Sequence, residues 1–494
     1  MMQVRRVIKK MVRGLWLALM VLSLTLTVQW HESAVAAQAK PYNELTFPPL
    51  PEVTIPEYTQ FTMDNGIQVF LMADRDLPLV TGRAMFNTGD RLEPKEKVGL
   101  AGLVGVVMRS GGTQTYTPDE LNRSLEDRAA SIETSIGTSA ATAQFSALTP
   151  DTDEVLRLFA QVLRQPAFDE QQLQLAKTQL EGSIARRNDS PDDIASREFQ
   201  KLIYGAESPY ARTVEYETLE AIDRQDLIDF YQQYFVPNNM MLGLVGDFDP
   251  AQMRQKLEAT FRDWQPNPNF KHPPLPQVSQ SQAGEIFLVN QPQLTQSNVL
   301  MGHLGGQLDS PDFFALSVMN EVLNGLGGRL FNEVRSRQGL AYSVYGVWSA
   351  RYDYPGIFIA GGSTRSEATV PFIQALRQEF DRIIQKPITA QELAAAKDGV
   401  LNSFVFNFQQ PSQTLSRLMR YTYYGYPEDF IFQYQRGVEA TTIEDVQRVA
   451  QEYLQPEEMV TLVVGNQDQI DPPLSALSED GGVTAIDVTI PKQS

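Results

Sequence analysis

The chain has 494 residues, 42% hydrophobic and 10% aromatic, with 41 Lys and Arg against 60 Asp and Glu for a net charge of −19. So acidic a chain, with no basic patch interleaved with aromatics, is not a nucleic-acid binder, and its length calls for two or three domains. It contains no cysteine, which removes disulfides, thiolate nucleophiles and Cys-ligated zinc.

Residues 1–39 have the pattern of a signal peptide. A basic stretch, MMQVRRVIKKMVR, precedes the apolar run GLWLALMVLSLTLTV, and small residues follow at Ala34-Val35-Ala36 or Ala37-Gln38-Ala39. The expectation is export to a periplasm or an equivalent lumenal space. The alternative, an uncleaved membrane anchor, has to contend with an apolar run that is short for a span. Without these residues 36 basic and 59 acidic side chains remain, a charge of −23. Residues 40–57 are proline-rich and predict an extended segment.

A first domain is expected over 58–263. It opens with the strand-like IQVFLMA and continues to GLAGLVGVVMRSGGT (99–113), where Leu100, Leu103, Val104, Val107 and Met108 recur at helical spacing. Gly99, Gly102 and Gly105 punctuate that helix, although an interior glycine costs about 1 kcal/mol relative to alanine. ASIETSIGTSAATAQFSAL then has strand-like alternation, and long amphipathic helices follow. Residues 264–284 hold five prolines and few long apolar side chains, as an interdomain linker would.

A second domain is expected over 285–470, with 471–494 as a C-terminal tail. Ser310 as N-cap, Pro311 at the first helical position and Asp312 in the first turn predict a helix over SPDFFALSVMNEVLN. NGLGGRL breaks it. FNEVRSRQ resumes a helical pattern that Gly339 terminates, and AYSVYGVWSA has strand character.

The two halves repeat one another. Tyr234 and Tyr453, Pro237 and Pro456, and Gly246 and Gly465 are each 219 positions apart, and Lys177 and Lys397 are 220 apart. Such small drift implies duplication. Strand runs followed by helical runs predict an α+β chain of two homologous domains, each a mostly antiparallel sheet with helices on one face.

With this duplication in view, the G-L-A-x-x-x-x-x-M-x-x-G-G-T segment and GGRLFNEVRSRQGLAYSVYG (327–346) carry a resemblance. The chain resembles the pitrilysin/insulinase metallopeptidases, which include the mitochondrial processing peptidase subunits, over roughly residues 55–470. EPKEKVGLAG, NDSPDD, SPYARTVEYETLEAI and YFVPNNMMLGLVGDFD add to it in the family's order. Active members carry H-x-x-E-H on the first-half helix: two histidines one turn apart ligate zinc and the glutamate serves as general base, with a further glutamate on a later helix. Matched to that pattern, the histidine positions hold Gly102 and Val106, the base position holds Gly105, and the fourth position holds Ser183. The resemblance therefore implies a degenerate site with no cofactor in this chain. The histidines His272 and His303, isolated in sequence, offer no helical pair to replace it.

Heterodimeric members divide the labour, and the subunit without zinc contributes an arginine and a tyrosine seven residues apart from its second half. VRSRQGLAY matches with Arg335 and Tyr342. The resemblance implies that they act in trans on a peptide carbonyl and its oxyanion, toward the zinc of a homologous partner subunit. It also implies a substrate-contacting role for Gly325, Gly327 and Gly328. The blander alternatives are that Arg335 pairs with Glu333, that Tyr342 is a core aromatic, and that the glycines merely join two helices. Two functions follow from these readings. One is a non-catalytic, exported subunit of a zinc metallopeptidase that encloses a peptide-binding chamber. The other is a scaffold or peptide-binding protein of the same fold with no role in proteolysis.

Overall fold

The computed structural model describes residues 54–325, 327–478 and 481–491. The signal-peptide reading of 1–39 and most of the extended segment 40–57 lie outside them. Among the described residues no helix is long and apolar enough to cross a membrane.

The first half builds one sheet from β1 (Thr59–Thr62), β2 (Gln68–Ala73), β3 (Leu79–Phe86), β4 (Ser131–Ile136), β5 (Ala141–Leu148) and β6 (Met240–Gly246), in the order β1-β2-β6-β3-β5-β4. Its helices are α1 (Leu100–Ser110), α2 (Pro118–Glu126), α3 (Thr152–Arg164), α4 (Glu170–Arg186), α5 (Pro191–Tyr204), α6 (Tyr216–Glu220), α7 (Arg224–Tyr234) and α8 (Pro250–Phe261). The second sheet holds β7 (Ile286–Asn290), β8 (Gln296–Leu304), β9 (Ala341–Ser349), β10 (Ile357–Arg365), β11 (Val460–Gly465) and β12 (Thr484–Ala485), ordered β12-β7-β11-β8-β10-β9. Its helices are α9 (Phe313–Asn324), α10 (Thr369–Gln385), α11 (Ala390–Phe404), α12 (Pro411–Tyr424), α13 (Phe430–Ala440) and α14 (Ile443–Tyr453). Residues 265–284 between the halves contain neither helix nor strand.

The repeat read from the sequence is a repeat of contacts. In each sheet the last long strand, β6 or β11, inserts parallel to β2 or β7 and antiparallel to β3 or β8. Tyr234 and Tyr453 end equivalent helices, and Pro237 and Pro456 open equivalent turns. Lys177 Nζ donates to Ile222 O at 2.8 Å, and Lys397 Nζ donates to Glu439 O at 2.7 Å.

The alternating pattern of β5 buries Ala141, Ala143, Phe145 and Ala147 under the first half's own helices. β2 is different: Val69, Phe70, Leu71 and Met72 are all buried, so both faces of the sheet centre are covered. The second cover comes from the other half. Leu415, Leu418 and Met419 of α12 pack on Phe70, Met72, Met85 and Val245. Gly243 permits this approach, since a Cβ there would lie 2.2 Å from Met419 Sδ. Reciprocally, Ile194, Ala195, Phe199 and Ile203 of α5 pack on Phe287, Val289, Leu300 and Leu462 of the second sheet. Each sheet thus carries its own helices on one face and one exchanged helix on the other.

Polar contacts also join the halves. Arg91, 1% exposed, pairs with Asp353 at 2.8 Å. Tyr423 donates to Ser139 O at 2.6 Å, and Tyr204 donates to Pro355 O at 2.9 Å.

One helix start differs from expectation. α9 begins at Phe313, two residues later than expected, after a turn in which the Ser310 hydroxyl accepts from Asp312 N at 3.3 Å. The Asp312 carboxylate, which stands at the cap position, is engaged by Arg448 at 2.5 Å and by the Tyr453 hydroxyl at 2.8 Å. The Asp312 side chain makes no cap bond of its own.

Candidate functional site

α1 occupies the place of the zinc helix. It opens at Gly99, whose φ of +106° is left-handed, and the carboxylate of Glu93 caps it by accepting from Gly99 N at 3.0 Å and Ala101 N at 2.9 Å. Burial, opposed by those two N–H groups, pushes the Glu93 pKa up to about 7. Of the four positions that resemblance assigns to the metal site, three are exposed and one is buried. Gly102 is exposed, with nothing within 4 Å of where a Cβ would be. It borders a cleft of about 430 Å³ whose walls include Asp90, Glu93, Arg197 and Arg212. Val106, 49% exposed, offers only carbon. Ser183 on α4 is exposed, and its hydroxyl donates back along its own helix to Gln179 O at 3.1 Å.

Gly105 is the telling position. It is buried against the edge strand β4, and a Cβ would stand 2.7 Å from Ile136 N and 3.0 Å from the Ser135 carbonyl carbon. The Thr134 hydroxyl donates to Gly105 O at 2.5 Å and Arg109 Nε to Ile132 O at 2.9 Å, fastening the helix to the strand. Where the family motif has its general base, backbone lies on backbone. Glycine is here for close approach. These residues do not fit a zinc ion, and among the described residues no group of three or more His, Cys, Asp or Glu is placed to hold a metal. His303 is buried and neutral in character: Nδ1 lies 2.8 Å from Leu304 O, Nε2 accepts from Gln455 N at 3.3 Å, and burial lowers its pKa.

In the second half, two departures from regular backbone set the positions of Arg335 and Tyr342. Phe331–Arg337 is a π-helical turn in which Gln338 N donates to Glu333 O, five residues back. Such turns recur at functional sites. It is anchored by buried Leu330 and Val334 and by Arg329, whose guanidinium reaches Glu392 Oε1 at 2.7 Å. Burial raises the pKa of Glu392, but Arg329 and the Thr389 cap together outweigh it and bring it down to about 2.

Beyond Gly339, with φ +63°, the register of β9 against β10 jumps from Ser343 opposite Ser363 to Ala341 opposite Thr364. Tyr342 is the extra residue of that β-bulge, a device that re-aims a side chain. It is 83% exposed. The Arg335 guanidinium lies 5.0 Å from its ring centroid and 4.7 Å from that of Phe331. Glu333 pairs instead with Arg337, at 3.0 Å, and with Arg382. Tyr342 is therefore no core aromatic, and Arg335 has no carboxylate partner among the described residues.

The Gly325–Gly328 segment is a tight connector. Gly328 N donates to Gly325 O at 2.5 Å, and a Cβ on either residue would strike Glu321 or backbone. Gly327 is exposed, with φ +90°.

The profile described as "Insulinase (Peptidase family M16)" matches residues 71–214, and "Peptidase M16 inactive domain" matches 221–400. The chain belongs to the insulinase family. Among curated proteins it is 22% identical to "Uncharacterized zinc protease YmxG" of Bacillus subtilis, over 72% of this chain and 86% of that one. It is 24% identical to "Non-peptidase homolog YmxG" of Helicobacter pylori, over 79% and 90%. A crystal structure titled as a peptidase M16 inactive domain, from Pseudomonas fluorescens, superposes with a TM-score of 0.76. It has 23% identity and covers 84% of this chain and all of that one. A protease from Helicobacter pylori superposes at 0.71 with 19% identity, over 83% of this chain. These likenesses show the fold.

Three residues around these positions, Glu93, Arg329 and Glu333, carry no signal in the sequence pattern. The Glu93 cap lies seven residues before the first residue of the helix it serves. Arg329 stands inside the quoted GGRLFNEVRSR motif, and its neighbour in the middle of that motif, Glu333, is itself an anchor for Arg337 and Arg382.

Proposed function

We propose that this chain is the non-catalytic subunit of an exported zinc metallopeptidase. In that role it walls a peptide-binding chamber and presents Arg335 and Tyr342 to a peptide held at the zinc of a homologous partner. The single observation that carries this reading is the placement of the Arg335–Tyr342 pair. A tyrosine thrown outward by a bulge, beside a guanidinium with no carboxylate partner, has no packing role to explain it. Both groups donate hydrogen bonds, and an oxyanion that forms within reach of them is stabilised without any metal on this chain. The closed Gly105 position agrees with a division of labour, since it leaves no room for a general base.

The test is reconstitution. Mixed with a zinc-bearing insulinase homologue, this chain is expected to give peptide hydrolysis that neither shows alone. Tyr342→Phe should lower turnover of the mixture by roughly 100-fold, the usual weight of one oxyanion donor, while size-exclusion chromatography still shows the complex. Unchanged turnover in an intact complex would replace this reading with that of a scaffold.

A further inference from the structure

A second site lies away from α1 and from the Arg335–Tyr342 pair. Between the face of the first sheet and the exchanged helix α12 is a cleft of about 610 Å³. Three arginines line it: Arg83 from the middle of β3, and Arg417 and Arg420 from α12. The rest of its lining is hydroxyl, amide and apolar side chains, with no aspartate or glutamate among them.

This is unusual in a chain of charge −19. Several buried or half-buried arginines elsewhere have carboxylates: Arg91 has Asp353, Arg187 has Glu215, and Arg329 has Glu392. Others without an ion pair, Arg109, Arg212 and Arg377, donate to backbone carbonyls instead. The Arg83 side chain has neither an ion pair nor a hydrogen bond among the described residues, and its Nε is buried without a partner. Burial first, and then the neighbouring charge of Arg420, hold its pKa below the ordinary arginine value. Arg420 is exposed, lies 5.8 Å from the Tyr352 ring centroid and has no ion pair among the described residues. Arg417 donates to Asn407 Oδ1 at 2.7 Å and lies 5.5 Å from the Phe408 ring centroid, with no carboxylate partner among the described residues.

Guanidiniums facing one cavity repel and lose hydration, a cost that an oxyanion ligand offsets through charge-assisted, bidentate bonds. We infer that this cleft binds a small organic polyanion, a phosphate ester or polycarboxylate, clasped between Arg83 on one half and Arg417 and Arg420 on the other. Phe406, 61% exposed, stands at the lining and can cover the ligand's carbon portion. A ligand there bridges β3 and α12, so its binding ties the two halves together. The inference stands apart from the peptidase reading, because it uses none of the same residues.

Pyrophosphate and citrate are the probes, titrated calorimetrically into the intact protein at low ionic strength. Saturable one-to-one binding of either probe is expected, weakening as sodium chloride is raised. Pyrophosphate alone would point to phosphate esters, and citrate alone to polycarboxylates. Arg83→Gln and, independently, the surface variant Arg420→Gln should each weaken binding at least tenfold, whereas the distant Arg75→Gln should not. Without ligand, Arg83→Gln should melt no lower than the parent, since it removes an uncompensated charge. Failure of both probes to bind at millimolar concentration would overturn the assignment. So would binding that Arg83→Gln and Arg420→Gln leave unchanged.

Discussion

α1 and α9 are homologous helices, each lying along the edge strand of its own sheet, yet they are fastened differently. α9 uses two asparagines. Asn320 donates to Trp348 O and accepts from Trp348 N, and Asn324 does the same with Gly346, at 2.6–3.0 Å throughout. These side chains occupy the outward backbone groups of β9 and blunt a free edge. α1 uses contact of backbone with backbone at Gly105, helped by Thr134 and Arg109. Side chains hold the helix at one edge, and the absence of a side chain holds it at the other. The first half is closed at that contact. The second has two irregular turns there instead, which set Arg335 and Tyr342 side by side.

The largest effect that would break this contrast is expected at Gly105. Gly105→Glu restores the family's base in name but drives a side chain into the β4 backbone, and should cost about 3 kcal/mol or more in a denaturant titration. Were it tolerated, the docking account of α1 would be wrong.

Next comes Glu93. Its folded pKa of about 7 lies above its ordinary value of 4.5. Its contribution to stability is therefore fully present below about 4.5 and is lost as pH rises through 7. Compared with Glu93→Gln, the parent should lose up to about 3 kcal/mol across that window. Parallel stability curves for the two proteins would remove the buried carboxyl from the account.

Asn324→Ala leaves Gly346 N and O without their side-chain partner and should cost about 2 kcal/mol. Amide exchange in β9 should accelerate while β4 stays unchanged, which sharpens the contrast. The smallest effect is expected for Gly102→His with Val106→His. Both sites are exposed, so stability should move by no more than about 0.5 kcal/mol, and equilibrium dialysis should find no tight zinc site from two imidazoles alone.

Much of this was legible in the chain. Periodicity marks α1, and the 219-residue repeat marks the two halves and their shared topology. The resemblance singles out Arg335 and Tyr342, which the structure sets side by side. What the sequence conceals is long-range or sub-residue in scale. Nothing in the pattern of α5 or α12 says that each packs on the other half's sheet, because an apolar stripe does not name its partner. The helix expected from Pro311 begins only at Phe313, after a turn whose Asp312 is held by Arg448 and Tyr453, more than 130 positions away. The bulge at Tyr342 and the π turn before it are shifts of a single residue within patterns that read as ordinary strand and helix.

The exchange of α5 and α12 has a bearing on how the chain could be divided. A break within 265–284 would free two fragments, each with a sheet stripped on one side and a greasy helix with nowhere to lie. Such pieces would have to find one another to become soluble. The proline-rich connector therefore works as a tether that keeps two mutually dependent shells at high local concentration, and the duplicated architecture folds as a single interlocked body.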